Sequence, residues 1–164
     1  MGRIGSRRQP PEGFATLQPF LASIDAQLKA VHAAPHDTLR RNEPTWAIMR
    51  LHHQRTRHIY EEWRAGRISA ALLDYLKAEG YADGALMALW KKPGYENVCC
   101  TRCVQAGEAT WGGVCICRVP RDQLPPGKVV ECVCCGCRGC GGGHGRKSGE
   151  EREEREEREE GSNS

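Results

Sequence analysis

All ten cysteines of this chain fall between Cys99 and Cys140, and the first 98 residues contain none. Thiol chemistry must therefore organise one end of the molecule while side-chain packing organises the other. Dense cysteines serve either as disulfides in an oxidising compartment or as metal ligands in a reducing one. The start, MGRIGSRRQPPEG, carries no apolar run of the kind a secretory signal needs, and no segment approaches the length of a membrane span. A reducing compartment and a metal are the expectation.

The thiols come in groups: Cys99, Cys100 and Cys103; Cys115 and Cys117; then Cys132, Cys134, Cys135, Cys137 and Cys140. Cys100 with Cys103, and Cys132 with Cys135, have the C-x2-C spacing of ordinary zinc knuckles. The C-C and C-x-C pairs bring successive sulfurs too close for separate mononuclear sites, which favours a polynuclear cluster with bridging thiolates. Three tetrahedral zinc ions offer about twelve coordination places, which nine cysteines fill if three of them bridge. One of the ten is then spare. Cys134, inside the Cys132–Cys135 knuckle, is the candidate. Two separate four-cysteine sites with two spare thiols remain the alternative. Iron–sulfur ligation fits the spacings less well. Sulfur at every coordination place leaves no water to activate, so the site reads as structural.

Ahead of the cysteines, apolar residues recur at Leu17, Phe20, Leu21, Ile24, Leu28 and Val31, one face of a helix that Pro35 ends. A second helix is expected from Pro44 or Thr45 to Ala65. Its apolar side should hold Ile48, Met49, His52, Thr56, Ile59, Tyr60 and Trp63, with His52 a core histidine. Arg50, His53, Arg57 and Arg64 make an adjoining basic stripe. Ser69 can cap a third helix running towards Gly80, and Asp83 a fourth that stops before Pro93. Residues 15–95 thus read as a small helical bundle. Residues 96–140 carry Val114, Ile116 and Val119, then Val129, Val130 and Val133, expected as short strands. With 39% apolar residues and two Phe overall, this half has too little core to fold without metal. Together these make an α fold followed by a small, irregular, zinc-stabilised module.

Residues 1–14 form a basic arm. Met1, Gly2 and Ser6 match a short myristoylation pattern, but three fixed positions fit equally an arm whose Arg7 and Arg8 meet an acidic partner, and no membrane role is expected. Residues 141–164, with five basic and eight acidic residues, read as a disordered tail; without them the chain has 19 basic and 13 acidic residues. Part of that surplus, around Arg102, Arg118, Arg121, Lys128 and Arg138, would balance the negative charge of a zinc–thiolate cluster. His32 and His36 lack the acidic partner of a zinc-protease helix, and there is no phosphate loop or nucleophile elbow. No catalytic residue is identified, and the chain is expected not to be an enzyme.

These residues resemble the bud-site-selection-protein-31 family, also called the G-ten family, of pre-mRNA splicing factors. The likeness rests on PPEGF, LHHQRTRHIYE, EGYADGALMALWKKPGYENVCCTRC, CICRVP and ECVCCGCRGC, in that order, and spans most of residues 8–140. It implies a nuclear spliceosomal subunit without chemistry of its own, which braces the small nuclear RNAs against a large central scaffold protein and its neighbours. It also implies three zinc ions on Cys99, Cys100, Cys103, Cys115, Cys117, Cys132, Cys135, Cys137 and Cys140. Cys134 departs from the family pattern, where a residue such as His is usual, and the tail is an addition. Sequence-independent contacts with RNA or an acidic protein surface are expected at Arg50, Arg57 and Arg64, and at Arg7 and Arg8 in the arm. A zinc-dependent nuclear transcription or chromatin adaptor is the alternative, and a metal store of the metallothionein kind a third.

Overall fold

The computed structural model describes residues 9–35, 40, 42–105 and 113–141. Arg7 and Arg8, His36 and the tail from residue 142 onward lie outside them. The described residues form four α-helices: α1 (Phe14–Ala33), α2 (Glu43–Arg64), α3 (Ala70–Ala78) and α4 (Gly84–Trp90). Among the described residues after α4 are the single 3-10 turns Thr101–Val104, Ile116–Arg118 and Arg121–Gln123. None of the described helices is long and apolar enough to cross a membrane.

The helix starts follow from capping. Ser69 Oγ accepts from Leu72 N at 3.2 Å, and Asp83 Oδ1 accepts from Ala85 N and Leu86 N at 2.9 and 3.0 Å. Each bond satisfies a donor that the first turn leaves without an intrahelical partner. Helix α1 starts earlier than its periodic residues suggest, because Phe14 is held edge-on to Tyr75 at 5.6 Å between ring centroids.

Leu17 and Leu21 of α1 meet Ile59 and Tyr60 of α2, Leu72, Leu73 and Leu76 of α3, and Leu86, Met87 and Trp90 of α4 in one hydrocarbon core. Val98, past the last helix, is fully buried in the same core, and Trp90 Nε1 donates to its carbonyl at 2.8 Å. A second buried cluster consists of cysteines with Val130, against which Met49 of α2, Ile116 and Leu124 pack.

Helix α2 buries more than one stripe. Trp46, Leu51, Arg55, Thr56, Ile59 and Tyr60 are buried, whereas Ile48, Met49 and Trp63 are partly so. His52 is not a core histidine: it is exposed, with Nδ1 3.1 Å from Arg55 Nη2. The single apolar side expected of this helix fails because α2 serves two bodies, the other helices at one face and the cysteine region near its N-terminal half.

Arg55 takes the buried position beside His52. Its Nη2 donates to the Gly80 carbonyl at 2.9 Å and its Nη1 lies 3.5 Å from Asp25 Oδ1, which ties α1, α2 and the α3–α4 turn together. A buried charge is tolerated where it is paired and hydrogen-bonded in this way.

The expected strands do not form among the described residues. Ile116 enters a 3-10 turn, Val129 is 77% exposed, and Val133 follows Cys132 into a tight turn. Valines at such spacing need a neighbouring ladder to become a strand, and here the backbone is used to swing thiols inward. Gly127 and Gly136, at φ of 74° and 64°, reverse the chain where a strand would have to continue.

Candidate metal centre

Three short segments bring the thiols together. Cys99 and Cys100 precede the Thr101–Val104 turn, which carries Cys103; Cys117 sits in the Ile116–Arg118 turn; Cys132 to Cys140 form the last loop. Backbone bonds lock the segments to one another. Cys115 N donates to Cys103 O at 3.5 Å, and both Cys140 N and Gly141 N donate to Cys117 O, at 2.7 and 2.8 Å. Within the last loop Cys132 N donates to Cys137 O at 2.8 Å.

The resulting Sγ–Sγ separations are short: 3.2 Å for Cys100–Cys103 and Cys103–Cys132, 3.4 Å for Cys99–Cys103, 3.5 Å for Cys99–Cys140 and 3.6 Å for Cys117–Cys140. The ten cysteines are free thiols rather than disulfides. A tetrahedral zinc ion with bonds of about 2.3 Å sets its sulfurs about 3.8 Å apart, close to these spacings. Four sets of four thiols lie within 4.8 Å of one another: Cys99, Cys100, Cys132 and Cys135; Cys99, Cys103, Cys117 and Cys132; Cys99, Cys117, Cys137 and Cys140; and Cys100, Cys103, Cys132 and Cys134. Cys99 and Cys132 recur in three sets each, as bridging ligands would. The residues present therefore fit a cluster of soft divalent ions.

Two positions stand apart in this grouping. Cys134, expected from the sequence to be the spare thiol, belongs to one of the four sets. Cys115 belongs to none of them, although its Sγ lies 3.8 Å from that of Cys132.

The crowding also sets the thiols against one another. Hydrogen bonding from Cys100 draws Cys132 far down into the thiolate range, while hydrogen bonding to Cys100 drives Cys99 far up. Crowded thiols cannot all ionise together, and a cation among them removes that conflict. Burial pushes Cys134, at the margin, up to about 12.

The centre is fastened to α2. Trp46 Nε1 donates to Val133 O at 2.9 Å, and its ring lies so close to Gly136 that a Cβ there would stand 2.6 Å from it. Arg50 Nε points to Cys135 O at 3.5 Å, and Arg40 pairs with Glu131 at 3.1 Å. On the far side Arg118 Nη1 donates to the Cys140 carbonyl, while its Nη2 reaches Gly94 O at 2.7 Å. Sequence reasoning missed Trp46 and Arg40. The one available signal was Trp46, a turn ahead of Met49 and Arg50.

Of the three arginines singled out on α2, Arg57 donates to Glu96 O at 2.9 Å, pairs with Glu61 at 2.9 Å and lies over Trp90. Arg50 turns to the cysteine loop. Arg64 is exposed, 5.8 Å from the Tyr60 ring, at a 700 Å³ groove that it lines with Tyr60, Trp63, Trp90, Lys91 and Glu96.

Comparison with known proteins bears on this constellation. A family model described as pre-mRNA-splicing factor BUD31 matches residues 1–142. A Branchiostoma belcheri protein named "Protein BUD31 homolog" is 46% identical over 129 residues, covering 78% of this chain and 90% of the relative. The Saccharomyces cerevisiae "Pre-mRNA-splicing factor BUD31" is 45% identical over 129 residues, covering 76% and 82%. The Schizosaccharomyces pombe "Pre-mRNA-splicing factor cwf14" is 39% identical over 131 residues, covering 79% and 89%. A match this long, running through both the helical half and the cysteine loops, means that the chain belongs to the BUD31 family of pre-mRNA splicing factors.

Proposed function

We propose that this chain is a structural subunit of the nuclear pre-mRNA splicing machinery, which performs no chemistry itself and braces the small nuclear RNAs against a large scaffold protein and its neighbours. Membership of a family whose relatives are named pre-mRNA-splicing factors carries the reading. Three zinc ions on Cys99, Cys100, Cys103, Cys115, Cys117, Cys132, Cys135, Cys137 and Cys140 would supply rigidity rather than catalysis. Thiolates close the coordination places, so these ions activate no water. Arg50, Arg57 and Arg64, with Arg7 and Arg8 of the arm, are the proposed contacts to phosphate or acidic protein. The exposure of Arg64 beside Lys91 supports this most directly, since a cation over an aromatic groove suits a phosphate or carboxylate.

The test is copurification of the tagged chain with small nuclear RNA from nuclear extract. Enrichment of the spliceosomal small nuclear RNAs supports the reading; enrichment of chromatin without them would favour the adaptor alternative. Replacing Arg64 with Gln should weaken association evenly across RNA sequences and flatten its salt dependence by about one unit per lost phosphate contact. Arg64 is the cleanest position, because Arg50 and Arg57 also hold the two halves together.

A further inference from the structure

Cys134 lies on the turn that Cys132 opens, where Gly136 N donates to Cys132 O at 2.8 Å. Its Sγ comes within 4.8 Å of those of Cys100, Cys103 and Cys132, while its neighbour Cys135 is grouped in the same way with Cys99, Cys100 and Cys132. The two sets share Cys100 and Cys132. A zinc ion held by that pair can have its two remaining places filled in either of two ways, by Cys99 with Cys135 or by Cys103 with Cys134. The surroundings of the two neighbours differ: Cys135 is 4% exposed, with Arg50 Nε on its carbonyl and Trp46 against the next residue, Gly136, whereas Cys134 is half-buried.

Resting on the zinc reading above, we propose that Cys134 is a reserve zinc ligand that takes the place of Cys135 when Cys135 is lost. Coordination arithmetic permits the exchange without an open site. About twelve places on three tetrahedral ions are filled by nine thiolates with three bridges, or by ten thiolates with two. A tenth thiolate therefore enters by turning one bridging sulfur into a terminal one, and the metal never falls below four ligands. As the zinc–sulfur bond to Cys134 forms, its thiol proton passes to water; as the bond to Cys135 breaks, that sulfur takes a proton back. No redox partner is needed. Cys137 and Cys140, grouped with Cys99 and Cys117, have no such understudy among the described residues.

The experiment uses the full chain loaded with zinc, native mass spectrometry for the ion count and maleimide labelling with peptide mapping for thiol access. In the unaltered chain Cys134 should be labelled ahead of the nine zinc-bound thiols, at the slow rate of a protonated thiol. Cys134→Ser should keep the full count. Cys135→Ser should also keep it, with Cys134 now labelled at least tenfold more slowly, whereas Cys137→Ser loses an ion. The double variant Cys134→Ser, Cys135→Ser should lose one ion relative to Cys135→Ser. Cys135→Ala serves as a second variant in case serine alone disturbs the buried site beside Trp46. If Cys135→Ser and Cys135→Ala both hold as few ions as the double variant, or if Cys134 remains equally reactive in them, the reserve role is overturned. An unaltered chain without zinc overturns the zinc reading itself, a result distinct from either.

Discussion

The helical half and the cysteine half are both tightly buried, but by different means. In the first, Leu72, Leu76 and Ile59 are fully enclosed by other hydrocarbon; in the second the fully enclosed side chains are Cys103, Cys117 and Cys132. Hydrocarbon burial, at about 25 cal/mol per Å², is independent of anything the cell supplies. Thiol crowding is the reverse, since the close sulfurs oppose one another's ionisation until a cation joins them. The difference teaches that equal compactness can conceal unequal means: one half is closed by hydrocarbon, the other by thiols whose spacing is compatible with metal.

The strongest way to break this comparison is to remove the metal. Structural zinc contributes on the order of 10 to 16 kcal/mol of apparent binding energy per site, so a strong chelator should abolish hydrogen-exchange protection across residues 96–140 while α1 to α4 keep most of theirs. Equal loss in both halves would make them one cooperative unit.

The converse perturbation is Leu72→Ala, which opens a cavity in the hydrocarbon core. It should lower thermal or denaturant stability of the helices by about 2 to 5 kcal/mol and leave the zinc count unchanged. A lost ion would mean that the cysteine loops depend on the helices beneath them.

Coupling between the halves is sharpened by Trp46→Phe. The change keeps an aromatic ring against Gly136 but leaves Val133 O without its 2.9 Å donor, at a cost of about 1 to 2 kcal/mol. Hydrogen exchange should rise in the Cys132–Cys140 loop more than in α3; an unchanged loop would place the coupling elsewhere, at Arg118.

The smallest expected effect concerns acid. Although His52 is exposed at the surface, partial loss of water around its ring, and then the neighbouring Arg55, hold it below the usual imidazole range. The folded state therefore favours neutral His52, so its contribution is fully present above the ordinary histidine pKa and is lost as pH falls below it. Because the side chain is partly solvent-screened, the change should stay below about 1 kcal/mol. Protection in α2 and at the Gly80 turn, corrected for the intrinsic slowing of exchange in acid, should fall slightly between pH 7 and 5, and His52→Gln should reduce that fall to the part left by His53, which burial also holds low.

Much of the helical half was legible because its signals are local. Ser69 and Asp83 cap as their residue types dictate, and the Leu17–Leu21–Ile24 spacing marks the buried face of α1. What escaped notice depends on distant partners. Arg55 reads as one more charge on a basic helix until Gly80 and Asp25 fold against it. Trp46 reads as a start-of-helix residue until Val133, 87 positions away, supplies its acceptor. The thiol clustering was legible from spacing, yet the strands assigned around it were not borne out. Val114, Val129 and Val133 suit a pleated sheet, whereas loops that gather thiols need turns, and turn geometry took precedence.

The bonds from Cys140 N and Gly141 N to Cys117 O, with Cys140 Sγ against Cys99 Sγ, also set an order of events during synthesis. Helices α1 to α4 draw mainly on contacts between neighbours in sequence and can condense as the chain leaves the ribosome. The last loop has to emerge before Cys99 and Cys117 meet their partners, so the early thiols wait, exposed, while about 40 further residues are translated at about 5 to 20 per second. For those few seconds the nascent chain presents the early thiols without their partners, and a metal ion captured then would be held by an incomplete ligand set until the final cysteine arrives.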